Sequence, residues 1–329
     1  MTQLTHNNNY IYSFKYDYHH NELCKLESRQ IFDKEERNKV LFSNVKVDPS
    51  ISPFIKNRFE IIASSENYPE LLKTIQGKNI RVEGFKVEYL KLDGDAAERP
   101  ERREKLKDIG YRIDGFPNFN NPSITYAICH YQNLWYFGVL TKQNTAWLKH
   151  NKKPCSFSNS ICMIIAKTLV SMASTGKTDN NLLDVCCGVG TIMLEACISG
   201  FNIEGCDINA KTCQHSRQNL AHFNYTSTVY CSDVKYLDKK YGAAIIDLPY
   251  NLFSYSTDSI TENIIESTAK LTGRIVIVSI SDIGTIIKKS GLKIHDFCTV
   301  QKRGKSKFTR KIWVCEKEHS AIEMKINQN

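Results

Sequence analysis

The sequence predicts an α/β protein in which a C-terminal doubly wound sheet follows a smaller N-terminal α+β region. Beyond Leu140, short apolar runs alternate with helix-periodic stretches, the pattern of a parallel sheet covered on both faces. Two of these runs, NLLDVCC from Asn181 and AAIIDL from Ala243, end in an aspartate and a turn. Buried parallel strands that deliver loops to one sheet edge have this form. Before Leu140 the elements are mixed and close in a hairpin, which suits a small α+β fold.

From the N-terminus, YIYSFKYDY alternates like a strand from Tyr10, and HNELCKLESRQIF sets Leu23, Leu26 and Phe32 at helical spacing. NVKVDPS from Asn44 and NRFEIIASS from Asn57 are the next strand candidates. NYPELLKTIQ reads as a helix entered through Asn67, with Pro69 in its first turn. FKVEYLKL from Phe85 is a strand, ERPERREKLKDIG a charged helix stopped by Gly110, and YRIDGFP a strand and turn. SITYAICHY and LWYFGVL pair as a hairpin about Gln132-Asn133. KQNTAWLKHNKKPCSFSNS, from Lys142, has no periodicity and reads as linker and lead-in. ICMIIAKTLVSMA is apolar on most faces and so a buried helix. The alternation follows: LLDVC, IMLEACIS, NIEGCD, AKTCQHSRQNLAHF, TVYCSD, AAIIDL, SITENIIESTAKL, RIVIVSI, DIGTIIKKS, KIHDFCTV and KIWVCEK. Ligands of such a sheet bind beyond the carboxyl ends of its strands.

A length of 329 residues allows about two domains, and 41% hydrophobic with 24% charged residues fits a globular protein. No apolar run reaches the roughly 18–20 residues of a membrane span. The polar, aromatic start has no signal-peptide pattern, so the expected location is cytoplasmic. None of the twelve cysteines forms a Cys-x-x-Cys pair, and they read as small buried residues in a reducing compartment, with no metal. The net charge of +9 favours a polyanionic partner. QKRGKSKFTRK, from Gln301, carries six basic residues and no acid: a phosphate-contacting loop or a solvated hairpin.

Gly188-Val189-Gly190 follows a strand and opens a helix, the context that a nucleoside-binding loop requires. Met193 stands where a dinucleotide fingerprint has its third glycine, which argues against NAD. Asp207 ends the next strand, where a carboxylate accepts both ribose hydroxyls, and Asp233 ends the third, within reach of an adenine amine. Acids at strand ends also serve as ordinary helix N-caps. That accounts for any one of them, but poorly for three in succession beside a glycine loop.

Asp247-Leu248-Pro249-Tyr250 closes the fourth strand. An exocyclic base amine is a poor nucleophile because its lone pair is delocalised into the ring. Acceptors that hold its protons turn that lone pair outward. Asp247 and the Leu248 carbonyl can supply them, Pro249 biases Leu248 toward an extended backbone, and Tyr250 offers a stacking face.

DVCCGVGT, EGCDIN, CSD and DLPY resemble the motifs of class I S-adenosylmethionine-dependent methyltransferases acting on amino nitrogens. KKPCSFSNSICMIIAKTLVSMA is similar to the lead-in of the THUMP-domain tRNA (guanine-N2) methyltransferases, and FKVEYLKL, KDIGYRIDG and Asn121–Ile124 resemble a THUMP domain. The resemblance implies a ferredoxin-like domain at 1–65, a THUMP-like RNA-binding domain at 66–141, a linker at 142–160 and a Rossmann-like methyltransferase domain at 161–329. It implies S-adenosyl-L-methionine as cofactor and tRNA as partner, with methylation of a guanosine N2 and position 10 of the tRNA favoured. Asp184, Cys187, Gly188, Gly190 and Thr191 would form the methionine-side loop, Asp207 would hold the ribose and Asp233 the adenine, with Ile208 and Val234 also counted among the cofactor-binding residues. Asp247, also counted with the cofactor set, would act with Leu248, Pro249 and Tyr250 on the base.

Leu248 departs from the family's Pro-Pro. If only its carbonyl matters, Leu248→Pro is expected to be neutral or activating. Lys149, Lys152 and Lys153, with Lys302, Arg303, Lys305 and Lys307, are the candidate phosphate contacts. The competing readings are an adenine-N6 methyltransferase on rRNA or DNA, and an RNA-binding protein that keeps a cofactor pocket without turnover.

Overall fold

The computed structural model describes residues 8–157, 160–249, 257–301 and 309–317. The chain forms two units. One contains the described residues of Met1–Lys15, Lys34–Ser50 and Phe54–Asn144, the other those of Tyr16–Asp33, Ile51–Pro53 and Thr145–Asn329.

The first unit is built on one six-stranded mixed sheet. Its strands are β1 (Tyr10–Phe14), β2 (Val40–Ser43), β3 (Ile55–Ser65), β4 (Phe85–Tyr89), β5 (Ile124–Tyr131) and β6 (Leu134–Lys142), in the order β2-β1-β3-β6-β5-β4. The boundary expected at 65/66 therefore falls at the end of β3, inside a sheet that continues on both sides of it. Gln132 and Asn133 carry φ of 50° and 64°, the left-handed pair a tight two-residue hairpin turn requires. Asn67 caps the helix Tyr68–Gly77 by accepting from Glu70 N–H, as its sequence signature suggests.

Two expected strands are absent. Asn44–Ser50 is not a strand; the strand lies just before it, at β2. The backbone there is satisfied by a side chain: the buried Tyr12 hydroxyl donates to Val45 C=O at 2.7 Å and accepts from Val47 N–H at 2.8 Å. YRIDGFP makes only isolated bridges, Arg81 with Asp114 and Phe85 with Pro117. At Gly115, with φ of 135°, an added Cβ would lie 2.1 Å from Val82 O, so only glycine lets the segment approach this closely.

The second unit begins with α1 (Asn21–Phe32), the helix expected in the N-terminal domain. Its Leu23, Cys24 and Leu26 are fully buried, and Arg29 donates twice to the Asp296 carboxylate at 2.8 and 2.9 Å. The expected linker is also structured. Residues Ala146–Lys152 form a 3-10 helix that buries Trp147 and His150. His150 contacts Glu195 at 2.7 Å through Nδ1 and the Tyr225 hydroxyl at 3.1 Å through Nε2.

In the first unit, Tyr68–Gly77 is α2 and Arg99–Gly110 is α3; in the second, Met163–Ser174 is α4. Then β7 (Leu182–Val185), α5 (Thr191–Ile198), β8 (Ile203–Asp207), α6 (Ala210–His222), β9 (Val229–Cys231), β10 (Ala243–Asp247), α7 (Thr257–Leu271), β11 (Arg274–Ser279), α8 (Gly284–Lys289), β12 (Leu292–Gln301) and β13 (Thr309–Lys317) follow. Seven strands order as β12-β13-β11-β10-β7-β8-β9, with β13 antiparallel to both neighbours and the rest parallel. This is the doubly wound, Rossmann-like sheet that the alternating pattern predicts. Leu183, Val185, Ala244, Ile246, Ile275 and Ile277 form its buried core. The strand order reverses between β7 and β10, which makes their carboxyl ends the expected binding crevice.

Candidate functional site

At that crevice β7 carries Asp184 one residue before its end at Val185, and the chain turns through Cys186, Gly188 and Gly190, with φ of 62°, 53° and 77°. Two glycines make the turn and its packing possible. An added Cβ at Gly190 would lie 2.4 Å from Ser216 Oγ. One at Gly205 of β8 would lie 2.5 Å from Met193 Sδ, so the bulky residue that breaks the dinucleotide fingerprint is accommodated by a missing side chain opposite.

Asp207 holds the loop from below. Its carboxylate accepts from Gly188 N–H at 2.9 Å and from Asn209 N–H at 2.8 Å. Each oxygen keeps a further lone pair, so the half-buried carboxylate retains capacity toward a diol. Ile208, beside it, is 78% exposed, an apolar face at the rim of the loop. Asp233 accepts from Lys235 N–H at 3.0 Å and pairs with Lys235 Nζ at 3.4 Å, so it also does the ordinary capping work. The Val234 side chain is buried in the core.

The decisive feature is a set of buried polar atoms with no partner among the described residues. Asp184 is fully buried, yet both of its carboxylate oxygens lack a hydrogen bond, as does the buried Thr191 hydroxyl. Burial pushes the Asp184 carboxyl well above its ordinary range, and the charges of Asp247 and Asp207 push it further. Buried polar groups are normally satisfied, so these atoms await a donor, preferably a cationic one. The glycine cradle and these acceptors fit the ammonium and sulfonium end of S-adenosylmethionine. Burial and the neighbouring carboxylates push the thiol of Cys187, in the loop, up, and burial with Asp184 takes Cys206, on β8, to about 12.

Asp247 ends β10, half-buried, and its charge is felt at Asp184. Leu248 continues the ladder by donating its N–H to Val278 C=O at 3.1 Å, and its side chain is 5% exposed within the core. Leucine here is a packing residue whose N–H is hydrogen-bonded, both of which proline would give up, so the substitution is expected to be destabilising. Pro249 is exposed and Tyr250 lies outside the described residues.

Lys149 and Lys152 are exposed on the 3-10 helix, with Lys149 Nζ 5.3 Å from the Tyr225 ring centre. Lys153 is half-buried, and burial lowers its pKa. Lys302, Arg303, Lys305 and Lys307 lie outside the described residues. The flanking Gln301 and Thr309 pair at the carboxyl end of β12, the edge that also carries Asp247.

The sequence reading missed Asn219 and the buried His150–Glu195 pair. The signal for Asn219 was an amide within the stripe of Cys213, Ser216 and Leu220, the buried face of α6. Among the described residues no cluster of His, Cys, Asp and Glu could hold a metal ion, and no helix is long and apolar enough to cross a membrane.

Residues 148–294 match the family described as Methyltransferase small domain. Among curated proteins, a tRNA (guanine(10)-N2)-dimethyltransferase of Methanothermobacter thermautotrophicus is 30% identical over 117 residues, 35% of this chain and 34% of that one. The protein of the same name from Methanocaldococcus jannaschii is 25% identical over 204 residues, 59% of this chain and 55% of that one. The matches thus span between a third and just over half of these relatives. Among solved structures, TrmN from Thermus thermophilus has a TM-score of 0.49 at 13% identity, covering 94% of this chain and 99% of that one.

Proposed function

We propose that the second unit is an S-adenosylmethionine-dependent methyltransferase acting in the cytoplasm on the exocyclic N2 amine of a guanosine in tRNA, with position 10 favoured. The observation that carries this reading is the pairing of the orphaned Asp184 and Thr191 oxygens with the Asp207-anchored glycine loop at the switch point. The Methyltransferase small domain match covers this region, and the curated relatives supply the proposed base and RNA.

When bound, S-adenosylmethionine supplies an electrophilic methyl carried on a sulfonium. Asp184, Cys187, Gly188, Gly190 and Thr191 would hold its amino-acid end, Asp207 its ribose and Asp233 its base, with Ile208 and Val234 beside them. Asp247, at the end of the adjacent strand, holds an N–H of the target amine and takes the proton released as the new C–N bond forms. The Leu248 carbonyl holds the second N–H, positioned by the ladder bond of Leu248 N–H to Val278. Pro249 and Tyr250 frame the base, and Lys149 and Lys152, with the 302–307 basic residues, meet phosphates. The first unit would serve as the THUMP-like RNA grip.

Mass-spectrometric nucleoside analysis of tRNA from a deletion strain tests the proposal. Loss of N2-methylguanosine, or of its dimethyl form, is the expected result. Loss of N6-methyladenosine instead, or no change, would overturn it.

A further inference from the structure

Asn219, on α6, is fully buried and makes three hydrogen bonds, all to the backbone of two loops. Its Oδ1 accepts from Cys155 N–H at 2.9 Å, and its Nδ2 donates to Cys155 C=O at 2.9 Å and to Val189 C=O at 2.8 Å. Val189 lies inside the glycine loop, and Cys155 lies in the stretch that follows Lys152 and Lys153 toward α4. The stretch has further anchors on the same helix. The Cys155 thiol reaches Gln218 Oε1 at 3.1 Å, and the Phe157 ring sits 5.5 Å from His215. A buried amide spent on two loops, not on its own helix, fixes those loops to one another. Leaving any of these buried groups unpaired costs more than the bond itself contributes.

We propose that Asn219 is a positioning residue that couples the glycine loop to the 153–157 stretch, so that cofactor in the loop orders the backbone beside Lys152 and Lys153. The proposal rests on the cofactor reading above. Because coupling between two sites is reciprocal, RNA phosphates held at that stretch would in turn tighten cofactor binding.

Hydrogen exchange of the full chain with and without S-adenosylhomocysteine tests this, on the wild type, Asn219→Ala and Asn219→Asp. The aspartate variant keeps side-chain volume and the acceptor toward Cys155 but loses both Nδ2 donors, and a melting curve establishes that each variant is folded. In the wild type, ligand should slow exchange in peptides covering both the glycine loop and 153–157, by roughly five-fold or more. In the variants the glycine loop should still respond while 153–157 does not. The readout is the response to ligand, since loss of an acceptor alone raises the basal rate at Cys155. A 153–157 stretch that ignores ligand in the wild type, or responds equally in the variants, overturns the coupling. A wild-type glycine loop that ignores ligand overturns the cofactor reading itself, a distinct outcome.

Discussion

Replacing Asp184 with asparagine should make the ligand-free protein more stable and its cofactor binding weaker. The carboxylate is fully buried with neither oxygen paired among the described residues, and Asp247 and Asp207 add like charge nearby. Its folded-state pKa is therefore raised, and the sign of the linkage follows. Below the ordinary carboxylate range both folded and unfolded chains carry the proton, and Asp184 costs nothing. As pH rises, the unfolded chain ionises first, the folded chain binds more protons, and stability falls until the raised folded pKa is passed. Asparagine keeps the shape and cannot ionise, so it removes this fall. Asparagine is still a buried polar group, so the gain is the removed ionisation penalty alone, about 1.4 kcal/mol for each pH unit between the unfolded and the raised folded pKa, or a few degrees in melting temperature. The same change removes a charge-assisted partner of a cationic ligand, a loss of roughly ten-fold or more in affinity. Melting curves from pH 5 to 8 with calorimetric titration of S-adenosylhomocysteine measure both. A variant that melts no higher than wild type at pH 8 and binds ligand equally would refute the idea that Asp184 is held in reserve for a cation.

Three further outcomes are expected. Asp207→Ala should weaken S-adenosylhomocysteine by about ten- to a hundred-fold by calorimetry, because it loses both the diol acceptor and the bond that anchors Gly188. Asp247→Ala should retain cofactor affinity yet abolish methyl transfer in single-turnover assays with labelled cofactor; full activity would remove Asp247 from the chemistry. Leu248→Pro should be destabilising by about 2–4 kcal/mol in denaturant unfolding, since it deletes the N–H bond to Val278 and empties part of a buried site; a neutral result would place the leucine outside the core.

The second unit was the more legible half because its central strands, β7, β10 and β11, are buried on both faces. AAIIDL and RIVIVSI are apolar runs whose identity needs no knowledge of partners, and the acids at 207 and 247 mark strand ends directly, with Asp184 one residue short of its own. The first unit was harder for a specific reason. Asn44–Ser50 has the alternation of a strand, but its backbone groups are taken by the Tyr12 hydroxyl, a contact that no local pattern encodes. Gly115 gave no warning that its segment lies against Val82. In the site, carboxylate positions could be read from the chain, whereas the isolation of Asp184 could not, because an absent partner has no sequence signature. Leu248 looked like a missing proline; only its burial reveals a residue with its own packing role.

The placement of α1 bears on how this protein can be taken apart. Because residues 16–33 belong to the unit that carries the glycine loop, the chain commits to that unit, leaves it, returns briefly at Ile51–Pro53, and comes back to stay at Thr145. A cut near residue 140 would not release an autonomous catalytic half. It would strip Leu23, Cys24 and Leu26 from their burial, and it would deprive Asp296 of Arg29 and Ser171 of Glu27. During synthesis, that helix must wait for most of the polypeptide to emerge before its lasting partners exist. Any transplant of the second unit into another protein would have to carry three pieces of chain stitched together, 16–33, 51–53 and the part from 145.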